Sequence, residues 1–186
     1  MKSRKFEQTI ILVMLALMGG AWIAFSRQVP SSSADYDRPE APIVGHLAPD
    51  FTLQTSTGET ITLTEYVDRE GENGRPVVLN FWASWCAPCR IETPHFQRAE
   101  LKYGNQIGLF GINQGESVGE VADFGRSFGL TYPLLVDESS SVSNLYAVQN
   151  LPTTVFIDRN GVVQEVFLGI LSQAVLEERI NKLLTE

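Results

Sequence analysis

Cysteine is nearly absent from this chain: Cys86 and Cys89 are the only two in 186 residues. Two cysteines exclude the multi-bridge framework that staples small secreted folds. Histidine is as scarce, with His46 and His95 alone. A structural zinc centre takes four Cys or His ligands and would consume all four side chains, although His46 lies far upstream of the others. No metal and no cofactor is therefore expected. Bases are also few, with 14 Lys and Arg against 22 Asp and Glu and a net charge of −8. That balance argues against a nucleic-acid partner. The chain contains no internal repeat.

The charge is unevenly spread. Residues 1–27 hold four bases against Glu7, a net +3, whereas the remainder holds ten bases against 21 acids, a net −11. Thr9 to Phe25 carry no charge and are nearly all apolar. As a helix this segment reaches about 25 Å, near the lower limit for a bilayer span. Three bases precede it and one follows, a bias that puts the N-terminus in the cytoplasm and the rest of the chain across the membrane. Residues 1–27 are expected to form a single-pass anchor in the cytoplasmic membrane, with the following domain on the periplasmic side. The alternative is a cleaved signal peptide ending near Ala24-Phe25-Ser26. No cysteine lies near the segment, which excludes a lipid-anchored lipoprotein. Residues 28–42, rich in Pro, Ser and Asp, read as a flexible linker, and residues 43–186 as the folded domain.

Within that domain Phe51–Leu53 and Thr60–Leu63 read as short strands around a Ser-Thr-Gly turn, forming an N-terminal β-hairpin. A polar loop over 67–76 leads to an apolar strand at 77–82. A helix starts near Ala87, with Pro94 expected to kink it. Gly108–Asn113 is a strand, and Ser117–Phe128 is a helix with Ser117 as N-cap and Glu120 three residues on. Pro133–Val136 is a strand and Ser141–Tyr146 a short helix. Thr153–Ile157 and Val162–Phe167 form a hairpin around Asp158–Gly161. Ser172–Leu184 is a closing amphipathic helix that buries Val175, Ile180, Leu183 and Leu184. This order gives an α/β fold: a mixed central sheet with helices on both faces.

The two cysteines stand as Cys86-Ala87-Pro88-Cys89, where the strand at 77–82 gives way to the helix. A Cys-x-x-Cys pair at a helix N-terminus is the layout of a dithiol redox centre. Unpaired N–H groups and the helix dipole favour a thiolate at Cys86, and the thiolate is the species that exchanges disulfides. A structural disulfide acts mainly by closing a long loop, and this one encloses two residues. Outside the cytoplasm such a dithiol stays reduced only if an electron donor re-reduces it; otherwise it serves as an oxidant.

Four segments resemble the thioredoxin superfamily, most closely the membrane-anchored TlpA, ResA and CcmG group of thiol-disulfide oxidoreductases. They are Gly45–Leu53, Phe81–Cys89, Gly129–Pro133 and Leu151–Asp158. The first is shared with peroxiredoxins. The resemblance implies a thioredoxin-like fold over about residues 43–185. It makes Cys86 the exposed attacking thiolate and Cys89 the thiol that resolves the mixed disulfide. Pro152 matches the family's cis-proline opposite the dithiol, and Thr153 follows it at the substrate side. Glu92 matches an acidic position near the cysteines, where a partly buried carboxyl with a raised pKa shuttles protons for Cys89. Thioredoxin itself carries a buried Asp where this chain has Asn80.

Trp85 is expected to offer an apolar contact surface for substrate, and Trp82 to pack in the core. Arg90 reads as a solvated helix residue, and His95 as a partly exposed one. The leading expectation is an exported reductase of protein disulfides, including the haem-attachment cysteines of apocytochromes c, fed by a membrane thiol carrier. Nothing calls for an obligate dimer, so a monomer is expected. A disulfide oxidase is the alternative within the class. A peroxiredoxin is disfavoured, because Ala83 stands where that family has Thr. A Cu(I)- or haem-handling protein is the alternative from another class, since thiolates suit Cu(I). Related copper carriers have a longer cysteine spacing and a His in the C-terminal part of the chain, and no His follows His95 here.

Overall fold

A computed structural model describes residues 39–69 and 73–185. The expected membrane segment and most of the expected linker lie outside these residues. Among the described residues no helix is long and apolar enough to cross a membrane.

The strands are β1 (Thr52–Gln54), β2 (Thr60–Thr62), β3 (Val77–Trp82), β4 (Gly108–Gln114), β5 (Leu134–Asp137), β6 (Thr153–Ile157) and β7 (Val163–Leu168). The helices are α1 (Ala87–Tyr103), α2 (Val118–Phe128), α3 (Ser141–Leu145) and α4 (Gln173–Thr185). Five strands form one sheet in the order β5-β4-β3-β6-β7, and β1 pairs antiparallel with β2 beside it. β3 runs parallel to β4 and antiparallel to β6. All six β3 residues are buried, as suits a central strand covered on both faces. On one face Val78 and Trp82 meet α1, α2 and α4 through Phe96, Phe124 and Ile180. On the other, Val77, Leu79 and Phe81 meet β2, α3 and the segments beside them through Ile61, Leu63, Val142 and Tyr146.

Local chemistry fixes the element ends. Ser117 caps α2 in a reciprocal capping box with Glu120, and Gly129 closes that helix in the left-handed conformation at φ 62°. Asp158 Oδ1 accepts from the backbone N–H groups of Asn160 and Val162, tightening the β6–β7 turn.

The structure amends several sequence expectations. The domain begins earlier than residue 43: Glu40 pairs with Arg69, and Ala41 N donates to Leu47 O. α1 runs unbroken through Pro94, whose ring lies on the exposed side of the helix. Pro94 supplies no N–H to Arg90 O, and beside it Thr93 Oγ1 donates to the neighbouring carbonyl, Cys89 O, at 2.8 Å. In α4 the fully buried positions are Leu176, Ile180 and Leu183, while Val175 and Leu184 sit at the margin of the core.

Candidate active site

β3 ends at Trp82, and after three intervening residues the chain enters α1 at its N-cap, Cys86. Trp82 is buried and its ring packs 4.3 Å from that of Phe124, so it belongs to the core. Cys86 is the N-cap residue, with extended backbone and Pro88 in the first turn. The pyrrolidine ring suits this place, because a first-turn N–H has no helical partner to lose. Cys86 Sγ accepts from Cys89 N at 3.2 Å, so the free N–H of the helix end points at sulfur. Cys86 and Cys89 are joined as a disulfide.

Cys86 is 4% exposed and Cys89 1%. The expectation of an exposed Cys86 is corrected here. Bonded to Cys89 and tucked against the helix end, Cys86 lines a cleft. That cleft, of about 680 Å³, is lined by Trp85, Cys86, Pro88, Gln114, Gln149, Leu151 and their neighbours. Trp85 stands open to solvent at 70% exposure on its wall. The Leu151–Pro152 bond is cis and leads directly into β6, whose Thr153 is in register with Phe81 of β3. Thr153 turns inward: its side chain is buried and its hydroxyl donates to Asn150 O at 2.7 Å. It therefore shapes the turn before β6 instead of offering a side chain to substrate.

Glu92 lies three residues after Cys89, on the same face of α1. It has no exposed surface. Asn80 Nδ2 of β3 donates to its Oε1 at 2.8 Å, and Leu171 N donates to its Oε2 at 2.9 Å. Asn80 Nδ2 also reaches Thr154 Oγ1 on β6 at 3.2 Å, so β6 steadies the amide that holds the carboxyl. Burial pushes the Glu92 pKa up to about 7, against the two hydrogen bonds, which favour the charged form. A carboxyl that titrates near neutrality one helical turn from a redox cysteine can both take and return a proton.

A second buried carboxylate escaped the sequence reading. Glu116, after β4, accepts from Ser84 N at 2.7 Å and from Asn113 Nδ2 at 2.6 Å, and also takes a bond from the Ser84 hydroxyl. It fastens the turn that presents Trp85 and Cys86. The only hint in the sequence is an acidic residue just past the end of a parallel strand, where α/β sheets place their sites. Arg90 is not simply solvated: its guanidinium lies 5.6 Å and 5.1 Å from the ring centroids of Phe124 and Phe128, and Nη1 donates to Ser84 O at 3.3 Å. His95 is half-buried, with Nδ1 2.7 Å from Leu171 O.

Comparison with known proteins agrees with this geometry. A family model described as the AhpC/TSA family matches residues 44–166. The thiol-disulfide oxidoreductase ResA of Geobacillus thermodenitrificans is 36% identical over 141 residues, covering 75% of this chain and 78% of that protein. The thioredoxin-like protein YneN of Bacillus subtilis is 30% identical over 182 residues, covering 96% and 98%. Among solved structures, a Chlorobium tepidum protein assigned as the thiol:disulfide interchange protein DsbE matches with a TM-score of 0.69 at 30% identity, covering 76% of this chain and 98% of that one. A disulfide bond at a helix N-terminus, a buried carboxyl one turn away and these relatives lead to one assignment. The chain belongs to the AhpC/TSA thioredoxin-like family, as a thiol-disulfide oxidoreductase of the ResA and DsbE type.

Proposed function

We propose that this chain works as an exported disulfide reductase, with Cys86 and Cys89 as its dithiol and Glu92 as its proton carrier. The observation that carries the reading is the sealed Glu92 carboxyl, pinned by Asn80 and Leu171 beside Cys89. In the reduced enzyme the Cys86 thiolate attacks one sulfur of a substrate disulfide. The other substrate sulfur leaves with the electron pair and is protonated by solvent. Glu92 then takes the proton from the Cys89 thiol, and the Cys89 thiolate attacks Cys86 Sγ. The second substrate sulfur departs and takes a proton from solvent, while Glu92 keeps the Cys89 proton until the dithiol is formed again. The dithiol has lost two electrons to the substrate, and a membrane thiol carrier returns them.

Trp85 and the Leu151–Pro152 turn receive the polypeptide around the substrate cysteine, among them the haem-attachment segment of an apocytochrome c. Residues 1–27 hold the domain on the periplasmic side of the cytoplasmic membrane, a reading supported by the charge bias around Thr9–Phe25. A monomer suffices, since both sulfurs and the carboxyl come from one chain.

The test is reduction of insulin and of a disulfide-bonded Cys-x-x-Cys-His peptide with a dithiol as electron source. Turnover that vanishes in Cys86→Ser, with a trapped mixed disulfide in Cys89→Ser, supports the reading. Consumption of hydrogen peroxide, or tight stoichiometric Cu(I) binding, in place of disulfide reduction would overturn it.

A further inference from the structure

The two donors on Glu92 are not equally secure. Asn80 sits within β3, braced on both sides by neighbouring strands. Leu171 lies in the short segment between β7 and α4, which contains Gly169 at φ 98° and has no ladder of its own. Yet the side chain of Leu171 is fully buried, and both its backbone polar groups are taken by α1. Its N–H goes to Glu92 Oε2 at 2.9 Å and its carbonyl to His95 Nδ1 at 2.7 Å. Glu92 and His95 are three residues apart on α1, one above the other. A carbonyl only accepts, so His95 holds a proton on Nδ1 and donates it.

We propose that His95 is a positioning residue for Glu92: it clamps the Leu171 carbonyl so that the Leu171 N–H stays aimed at the carboxyl. This deepens, and rests on, the reading of Glu92 as the proton carrier. One residue gripped at two points loses the rotation about its own φ and ψ that would swing its N–H away. With the clamp gone, the carboxylate keeps Asn80 and loses part of its second donor. A carboxylate with fewer donors binds its proton more tightly. The other groups around Glu92 stay in place. They are Asn80 with Thr154 behind it, Cys89 and Glu100 on α1, and the buried Tyr132 before β5, whose phenol is pushed up by burial first and by Glu92 and Glu100 next. The clamp thus sets the pH at which Glu92 accepts the Cys89 proton, without touching sulfur or substrate.

The test follows the ¹³C carboxyl resonance of Glu92 against pH in the full chain in detergent micelles, oxidised, with the signal assigned by its loss in Glu92→Gln. His95→Phe keeps the ring and removes the donor. His95→Asn keeps a donor, since the amide nitrogen of Asn lies near the place of Nδ1. The expected result is an upward shift of the Glu92 titration by about 0.5–1 pH unit in His95→Phe, the scale of one weakened hydrogen bond. His95→Asn returns it close to the parent value. Should His95→Phe fail to fold, His95→Ala carries the same expectation. An unmoved titration in the donor-free variant, or equal shifts in the donor-free variant and in His95→Asn, overturns the proposal. Because the protein is read in its oxidised form, this outcome leaves the reductase reading intact. Full turnover by Glu92→Gln would instead overturn the proton-carrier reading and leave the clamp in place.

Discussion

At the scale of single residues, the account turns on Glu92. Its carboxyl is raised from the ordinary glutamate range to about 7, so the native state prefers it protonated. An unfolded chain ionises it near its ordinary value. Native stability is therefore full below about pH 4.5, falls as pH rises, and has lost up to about 3 kcal/mol once pH passes 7. In Glu92→Gln this decline is absent, because the amide carries no charge. Asn80 can turn its amide to accept from the new donor, with the Thr154 hydroxyl donating to the same oxygen. Chemical denaturation at pH 5 and pH 8 should thus show a smaller loss for Glu92→Gln than for the parent. The same variant should release trapped substrate about 10²-fold more slowly, measured by single-turnover kinetics. Trp85 supplies the opposite case. It is 70% exposed, so Trp85→Ala should leave the unfolding free energy within about 0.5 kcal/mol of the parent. It should raise KM for a protein disulfide roughly 5–10-fold, the worth of one aromatic contact.

At the scale of elements, the site is a product of the β3–α1 corner and of what leans on it. The turn Ala83-Ser84-Trp85 has no regular structure of its own, and Glu116 anchors it from the end of β4. Glu116→Ala leaves the Ser84 N–H and the Asn113 amide without their acceptor, at a cost of about 1–3 kcal/mol. Attack by Cys86 should slow in parallel, since Trp85 and Cys86 hang on that turn. Glu116→Gln retains an acceptor oxygen and should lose less on both counts, as thermal unfolding and insulin reduction would show. Much of this corner was legible in advance. The apolar run 77–82, the Cys-x-x-Cys at the helix start and the i, i+3 relation of Cys89 to Glu92 are local patterns. Glu116 was not legible, because its partner Ser84 lies 32 residues away and the two meet only when β3 and β4 pair in parallel. His95 and Leu171 are 76 residues apart, joined by the packing of the β7–α4 segment on α1. The place of Thr153 after Pro152 suggests a residue that faces substrate, but β6 is buried along its whole length and turns that hydroxyl inward.

At the scale of the whole molecule, the sheet order places two loops and a helix end around one disulfide. β3 has a parallel neighbour on one side and an antiparallel one on the other, so its C-terminal end meets the end of β4 and the start of β6. The cleft between them exposes Trp85 and otherwise offers uncharged side chains, Gln114, Gln149 and Leu151 among them. In the proposed function this cleft receives the loop of the substrate polypeptide. The Ala-Pro between the cysteines does not by itself decide whether the pair gives or takes electrons. That direction belongs to the balance between thiolate and disulfide, in which the helix N-terminus and Glu92 both have a part. The measurement that bears most directly on the central claim is the reduction potential of Cys86–Cys89, by equilibration with dithiol buffers. The account predicts a value near or below about −250 mV, in the range of a thiol reductant. A value near about −120 mV, that of a strong oxidant, would contradict it and make this protein a donor of disulfides.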